Sequence, residues 1–381
     1  ELGVDIGAFT LYPSLDIYAG YDNNVFATAA PTTASLVTVI RPTLDLRSEW
    51  LNHSLHLLAG GGFGFYPSAT TQNYQNYILQ ADGRLDIRTD FYLTGLVAFR
   101  RATEALGTQN VSFAQAPTIA DSVPVELGLY QKFNRFFYQV NASATKYWYY
   151  DYSTITSLGL PAASRNRTEY QESLRLGYEI QDGLNIWITP GLNQRIYVDA
   201  INIANQQRDS QGWNFGLGGS WVVGSKTSLE GGVGFTNQAY MSDGSSTSAT
   251  VFQLAGTWNG YEPLTLRPAI SRSINESALT NYQNYVSTVI GVDWTYDIHY
   301  PWKAVGGLSY NTADYTPVPG TGTAPRTDYF FKGSLGFLYE VRPQYSIGPV
   351  YEYTQGWSSD VAAGGPQYNR SLFSIRLVMR R

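Results

Sequence analysis

Apolar residues occupy every second position in stretch after stretch of this chain, and short turns alternate with longer polar connectors between those stretches. A two-residue period puts alternate side chains on opposite faces of a strand. The first stretch sets Leu11, Pro13, Leu15, Ile17, Ala19 and Tyr21 against Tyr12, Ser14, Asp16, Tyr18 and Asp22. The second sets Ile40, Pro42, Leu44 and Leu46 against Arg41, Thr43, Asp45 and Arg47. After a tight connection near Asn52, Leu55, Leu57, Ala59, Gly61, Phe63 and Phe65 oppose His56, Leu58, Gly60, Gly62 and Gly64. The fourth alternates Tyr77, Leu79, Ala81, Leu85 and Ile87 with Gln80, Asp82, Arg84, Asp86 and Arg88. The fifth turns Phe91, Leu93, Val97 and Phe99 away from Thr94 and Arg100.

The same parity predicts strands over 123–133, 136–150, 168–181, 184–198, 211–223, 226–240, 248–260, 263–274, 283–297, 301–314, 327–341, 344–357 and 368–380. Tight turns are expected near Asn134, Asp182, Gly224, Gly260, His299 and Arg342. Longer connectors fall near 104–121, 151–166, 199–210, 241–247, 275–281, 315–326 and 358–367. A strand with one face in lipid and the other in water has this pattern, and periplasmic turns with longer external loops have this rhythm. The expected fold is all-β: a transmembrane antiparallel up-and-down barrel of about 18 strands, with 16 as the competing count, forming one domain over residues 1–381. An even count brings both termini to the periplasmic end.

Tyr and Trp favour membrane–water boundaries, which gives a second reading of the same faces. Trp148, Tyr150, Tyr351, Tyr353 and Trp357 fall toward the external rim. Trp221, Trp258, Trp294, Tyr296, Trp302, Tyr339 and Tyr345 fall near the short turns. A soluble β-sandwich or propeller also alternates, but it has no reason to keep its aromatic residues at strand ends with Leu, Val and Gly between them.

Composition fits a barrel wall: 30 Tyr, 37 Gly and 9 Trp, with only 14% charged residues. No apolar run reaches the ~18–20 residues of a membrane-crossing helix. A membrane role therefore rests on a closed barrel, the other structure that satisfies every backbone group in lipid. Cysteine is absent, which removes disulfide and thiol chemistry. The net charge is -5 without any basic block, so no nucleic-acid partner is expected. No basic-then-apolar leader precedes the first strand, and the expectation is a mature or trimmed start at Glu1.

With the apolar parity in lipid, the other parity lines the lumen. Candidate lumen-lining charges are Asp16, Arg41, Asp45, Arg47, Asp82, Arg84, Asp86, Arg88, Arg100, Arg175 and Arg195. Further inward-parity charges are Glu126, Lys132, Glu230, Arg267, Asp293, Lys303, Lys332, Glu352, Arg370 and Arg376. Both signs are interleaved, which argues against a strongly anion- or cation-selective ring. Arg41, Asp45 and Arg47 are expected to face Asp82, Arg84, Asp86 and Arg88 across the glycine strip Gly60, Gly62 and Gly64. Such a wall either orders water and guides a polar solute, or is an ion-pair ladder that stiffens the barrel. Inward-parity aromatic residues are Tyr12, Tyr18, Tyr92, Tyr130, Tyr147, Tyr197 and Trp187. They either stack against sugar rings or fill space near the rims.

Eighteen strands leave an aqueous channel unless something fills it. Connector 104–121, with Phe113 and Pro117, is the first candidate for an inward-folding constriction, and 151–166 the second. Catalysis is not expected. The three histidines are His53, His56 and His299, no Gly-x-Ser-x-Gly elbow occurs, and no metal-ligand spacing is present. No cofactor or metal is expected.

The run Leu11-Tyr12-Pro13-Ser14-Leu15, followed by Gly20-Tyr21-Asp22-Asn23-Asn24-Val25-Phe26, resembles the start of the putative β-barrel porin 2 family. Arg41-Pro42, then Leu46-Arg47-Ser48, Trp50 and His53 continue the likeness. The resemblance implies an outer-membrane barrel of a Gram-negative bacterium; some members are associated with exopolysaccharide secretion. One departure is the ending Leu377-Val378-Met379-Arg380-Arg381, where outer-membrane barrels commonly carry an aromatic residue. The expected function is passage of hydrophilic material, with exopolysaccharide export implied by the resemblance. A general diffusion porin and a shut barrel that anchors a surface partner are the alternatives. Expected partners are outer-membrane lipid and lipopolysaccharide, with polysaccharide and a periplasmic export partner following from the export reading.

Overall fold

The computed structural model describes residues 3–111, 117–150, 162–198, 208–241 and 244–381. Among them, 18 long antiparallel strands form a ring, and one short strand brings the sheet to 19. In chain order they are β1 (Val4–Ile6), β2 (Phe9–Asp22), β3 (Ser35–Ser48), β4 (Ser54–Phe65), β5 (Tyr74–Arg88) and β6 (Phe91–Glu104). Next come β7 (Thr118–Phe133), β8 (Phe136–Tyr150), β9 (Arg167–Gln181), β10 (Leu184–Tyr197), β11 (Ser210–Val223), β12 (Thr227–Tyr240) and β13 (Ser246–Tyr261). The last are β14 (Leu264–Glu276), β15 (Tyr282–His299), β16 (Trp302–Pro317), β17 (Arg326–Arg342), β18 (Tyr345–Ser358) and β19 (Tyr368–Arg380). Each strand from β2 on pairs with its sequence neighbours, and β19 pairs with β2 to close the ring. A closed ladder leaves no strand edge for lipid to face.

The count is 18, not 16. The extra strand β1 was not expected: Gly7 takes a positive φ of 65°, and Val4–Ile6 folds back on Phe9–Leu11 of β2. There it occupies the pairing face of β2 beyond the point where β19 stops, at Arg380↔Ser14. Several boundaries move as well. Strand β13 continues to Tyr261, so its turn follows at 262–263, and β7 begins at Thr118.

The parity assigned to lipid is the exposed one. Leu127 (65%) and Leu192 (60%) stand on the outer face, with Leu36, Leu79, Leu217 and Phe373 also exposed there. Trp221, Trp258, Trp302 and Tyr345 are exposed at the short-turn end, where Trp302 meets Tyr339 edge to face with 5.0 Å between ring centroids. Apolar side chains left outside in this regularity only make sense in an apolar solvent.

Closure of the ring is locked by three consecutive residues. Asp22, fully buried, accepts from Arg370 Nε (2.9 Å) and Nη2 (2.5 Å). Asn23 exchanges bonds with Ser371 through its N–H to the carbonyl (3.2 Å) and its side-chain oxygen to the Ser371 N–H (2.7 Å). Asn24 Nδ2 donates to the Asn369 carbonyl (2.9 Å), and Asn24 also ties its own loop through Thr28. The Asp22-Asn23-Asn24 run is thus a latch between the first and last strands of the ring. Deeper in the lumen, Arg376 grips Asp16 across the same seam at 2.9 and 2.6 Å.

Candidate functional site

The inner wall divides into two halves of different character. Toward the short turns, charges are paired yet open to solvent. Arg47 binds Asp45 two residues away on β3, Arg84 binds Asp86 on β5, and Lys303 of β16 binds Glu340 of β17. The three cationic side chains remain 60, 42 and 44% exposed. The arginines do not reach across the glycine strip as the sequence had led us to expect. Register explains why: Arg47 lies opposite His56, which lies opposite Asp82, so His56 and not a glycine separates the two charged strands. Gly60, Gly62 and Gly64 sit further toward the long-loop end, where the Tyr74 ring covers Gly64. The actual bridge is His56, whose ring nitrogens face Asp45 (3.1 Å) and Asp82 (2.8 Å).

The aromatic lumen residues are occupied by arginines. Arg47 lies over Tyr12 (5.1 Å to the ring centroid), Arg41 over Tyr18 (5.0 Å), Arg84 over Tyr92 (3.8 Å) and Arg175 over Trp187 (4.2 Å). Tyr130 stacks on the other face of this group, 4.7 Å from Tyr92. Trp187 is closed on its second side by Gly218, where a Cβ would fall 2.4 Å from the indole nitrogen. These rings support guanidinium groups, each contact being worth about 0.5–2 kcal/mol, which leaves at most one face of each ring for a sugar.

The remaining candidates also have definite places. Arg41 donates to Tyr18 OH, since its opposite number Asp16 is held by Arg376. Arg100 donates to Gln80 (3.2 Å), Arg175 to Glu230 (3.2 Å) and Arg195 to Glu276 (2.5 Å). Arg88 lies at the rim beyond a register shift and near Asp90. Arg100, Arg175 and Arg195 line one cavity of 1090 Å³ inside the barrel, against the inner faces of β6–β14. Its space comes from Gly216, Gly232 and Gly234, where alternate inward positions of β11 and β12 carry no side chain. That glycine alternation was visible in the sequence as Gly216-x-Gly218 and Gly232-x-Gly234, and it marks the room in the lumen better than Gly60–Gly64 does.

The long-loop half is filled. The strand ladder between β13 and β14 ends at Phe252↔Arg272, although β13 runs on to Ser246 and β14 to Glu276. Above that point the β14–β15 hairpin tip leaves the wall and lies inside the barrel. Ile274 and Val286, on the outward parity of β14 and β15, pack against Ala249 on the inner face of β13. Asn284 Nδ2 donates to Tyr240 OH and to Thr247 Oγ1, both at 2.9 Å. This position explains why six successive residues, Tyr282 to Ser287, are all buried on a strand.

The connector after β6 meets the tip from the opposite wall; β6 and β15 stand nine places apart in a ring of 18. Tyr368 OH donates to the Gly107 carbonyl, and Gln109 Nε2 to the Thr312 carbonyl (3.0 Å). Asn110 closes the contact: its N–H donates to Tyr315 OH (3.0 Å), its Nδ2 to the Glu276 carbonyl (3.0 Å), and its Oδ1 accepts from the Ala278 N–H (2.6 Å). The first expected constriction thus crosses the lumen mouth through residues 105–111. The second, 151–166, lies outside the described residues up to 161; from its end, Arg165 makes a bidentate pair with Glu104 (2.6 and 2.7 Å) and covers Tyr149. Burial alone would lower the Arg165 guanidinium, but the Glu104 carboxylate outweighs it and holds the group above its ordinary value. Connectors on the β2–β5 side add an apolar cluster of Val25, Val37, Val39, Tyr66 and Ala69, in which burial pushes the Tyr66 phenol up. In this lid, Glu276 and Asp328 are 2% exposed and Arg208 4%. Among the described residues, no group of three or more His, Asp or Glu side chains is arranged to hold a metal.

A family model described as putative beta-barrel porin 2 matches residues 1–381. No curated protein matches the chain. Among solved structures, the copper transporter OprC is similar at 11% identity and a TM-score of 0.50, over 100% of this chain and 81% of that one. OccAB3 of Acinetobacter baumannii aligns at 10% identity and a TM-score of 0.49, over 97% and 99% of the two chains. OpdO of Pseudomonas aeruginosa aligns at 13% identity and 0.45, over 97% and 96%.

Proposed function

The chain belongs to the putative beta-barrel porin 2 family, and from that membership and the form of its lumen we propose a gated outer-membrane conduit for hydrophilic polymer, with exopolysaccharide leaving the cell as its cargo. The observation that carries the reading is the burial gradient along the lumen. Paired cations at the short-turn end are about half exposed, whereas the pairs around Glu276 and Asp328 at the long-loop end are sealed under the lid. Short turns face the periplasm in barrels of this kind. The lumen is then a vestibule entered from the periplasm of a Gram-negative cell and closed at the outside. A diffusion porin has no use for a sealed outer mouth, while an export channel must keep external solutes out when idle. Transport, not catalysis, suits a wall whose His56 lies between two carboxylates and whose arginines are mostly held in ion pairs. Lipid and lipopolysaccharide would surround the barrel, and a periplasmic export partner would feed it.

The lid also favours a second reading, a shut barrel that anchors a surface partner. Single-channel recording in a planar bilayer, with and without soluble polysaccharide fragments, separates the three. Brief or fragment-dependent openings that fragments then block are expected of the conduit. Steady conductance indifferent to fragments would show a diffusion porin, and silence under every condition an anchor.

A further inference from the structure

Glu276 is an anion brought into the lumen by the tucked β14–β15 tip and fixed by groups of β10 and the connector after it. Its Oε1 accepts from Arg195 Nη1 (2.5 Å) and its Oε2 from Tyr197 OH (2.7 Å). Arg208 Nη2 lies 3.7 Å from Oε2 while bonding the Ser277 carbonyl at 2.6 Å. Two guanidinium groups therefore converge on one carboxylate, and the buried Arg208 Nη1 finds no acceptor among the described residues. The seat has more donors than Glu276 uses. It also adjoins free space, because Arg195 lines the 1090 Å³ cavity together with Arg100 and Arg175.

We propose that Arg195, Tyr197 and Arg208 form a carboxylate-binding site in which Glu276 is a built-in stand-in for an acidic saccharide, and that a uronate in the lumen displaces Glu276 and releases the tip. This rests on the conduit reading for its cargo, though the seat itself does not. The exchange replaces one carboxylate by another, so neither arginine is left buried without a counter-charge. A neutral sugar offers hydroxyls only and would leave both arginines unpaired, which a buried site resists strongly. Acidic fragments should therefore act at concentrations lower by a factor of about 100 or more than neutral ones of equal length. A released tip has a place to go. Continuing the β13–β14 register beyond Phe252↔Arg272 would set residues 273–276 against 251–248, the part of β13 that has no partner strand on that side.

The chain has no cysteine, so Asn281→Cys on the tip and Ser246→Cys at the top of β13 give a clean spin-labelled pair on the intact barrel. The label distance is measured with trigalacturonate and with maltotriose. The expected result is a shift with trigalacturonate, none with maltotriose at the same concentration, and a shifted population without ligand in Glu276→Gln. No shift at saturating trigalacturonate, or an equal shift with maltotriose, would overturn the proposal, and neither outcome depends on the Glu276→Gln variant folding. Parallel bilayer recording separates this from the conduit reading. A tip that moves in a barrel that never conducts keeps the site and removes the conduit, whereas a conducting barrel with a tip indifferent to uronate removes the site alone.

Discussion

Removing the Asn110 side chain is the sharpest probe of the lid. Asn110 has a positive φ of 61°, so Asn110→Ala would mix backbone strain with lost bonds, whereas Asn110→Gly keeps the conformation. The substitution deletes two bonds: Nδ2 to the Glu276 carbonyl at 3.0 Å and Oδ1 from the Ala278 N–H at 2.6 Å. Both partners are backbone groups in a buried contact, so each is left unsatisfied at a cost of about 1–3 kcal/mol. The pair comes to about 2–6 kcal/mol, a change of roughly 30-fold to 20,000-fold in the closed-to-open ratio of the tip. Hydrogen exchange at the Ala278 amide reads that ratio when closing is fast, because only the open form exchanges. Exchange at Ala278 should accelerate by at least about 30-fold, while amides in the middle of the wall, such as Leu217, keep their rates. The variant Asn110→Asp retains the acceptor and loses the donor, and should fall between the two. An Ala278 rate within about threefold of the parent would show that Asn110 does not hold the tip, and the lid would have to be ascribed to packing alone.

Asp22→Ala should cost about 3–5 kcal/mol by leaving Arg370 buried without its partner; a lower denaturant midpoint and loss of the compact, detergent-resistant band on gels would register it, with partial recovery in the Asp22→Ala/Arg370→Ala double variant. Gly218→Ala should cost about 1–3 kcal/mol, because the new Cβ would meet the Trp187 ring at 2.4 Å and the Gly231 carbonyl at 2.9 Å; an unchanged urea midpoint would mean that Trp187 moves freely. Replacing Arg47 and Arg84 by Ser leaves Asp45 and Asp86 without their guanidinium partners, so the reversal potential of any conducting state should move toward cation selectivity.

The wall was legible in the sequence because lipid and water impose opposite demands on alternate residues, and that demand repeats along every strand. Leu36 and Leu127 ended outside, and Asp16 and Arg100 inside, from parity alone. Partner choice was not legible, since parity fixes a face and says nothing of height. The expected meeting of Arg47 with Asp82 failed because His56 stands between them in the register. The lid was hidden for a different reason: it forms where alternation ends. Leu36-Val37 and Val39-Ile40 are apolar on both faces, and so is much of Tyr282–Val286. Such doubling marks a strand end whose inward face is also covered, as at Val37 and Val39, and it falls in the segments of the closed mouth. The Asp22-Asn23-Asn24 run was noticed as a resemblance, but its work at the seam needed residues 369–371, more than 340 positions away, to be in view.

The arginine-capped aromatic rings bear on what kind of passage the vestibule allows. A bare Trp or Tyr face in a narrow lumen stacks against a sugar ring and retains it, and conduction needs sites weak enough to leave. Here Tyr12, Tyr18, Tyr92 and Trp187 each have a guanidinium over one face. Most of those guanidinium groups are tied in turn: Arg47 to Asp45, Arg84 to Asp86 and Arg175 to Glu230. The wall therefore offers hydrogen-bonding edges with little net charge and few apolar plates. A hydroxylated chain can exchange water for these edges at each step without a deep minimum, and a simple electrolyte meets no dominant field of either sign. In the proposed conduit, selection is then left to the Glu276 seat at the far end, where two guanidinium groups converge on one buried carboxylate. Weak contacts along the vestibule and one strong, charge-specific contact at the lid are what a conduit needs in order to move a polymer and still open only for the right one.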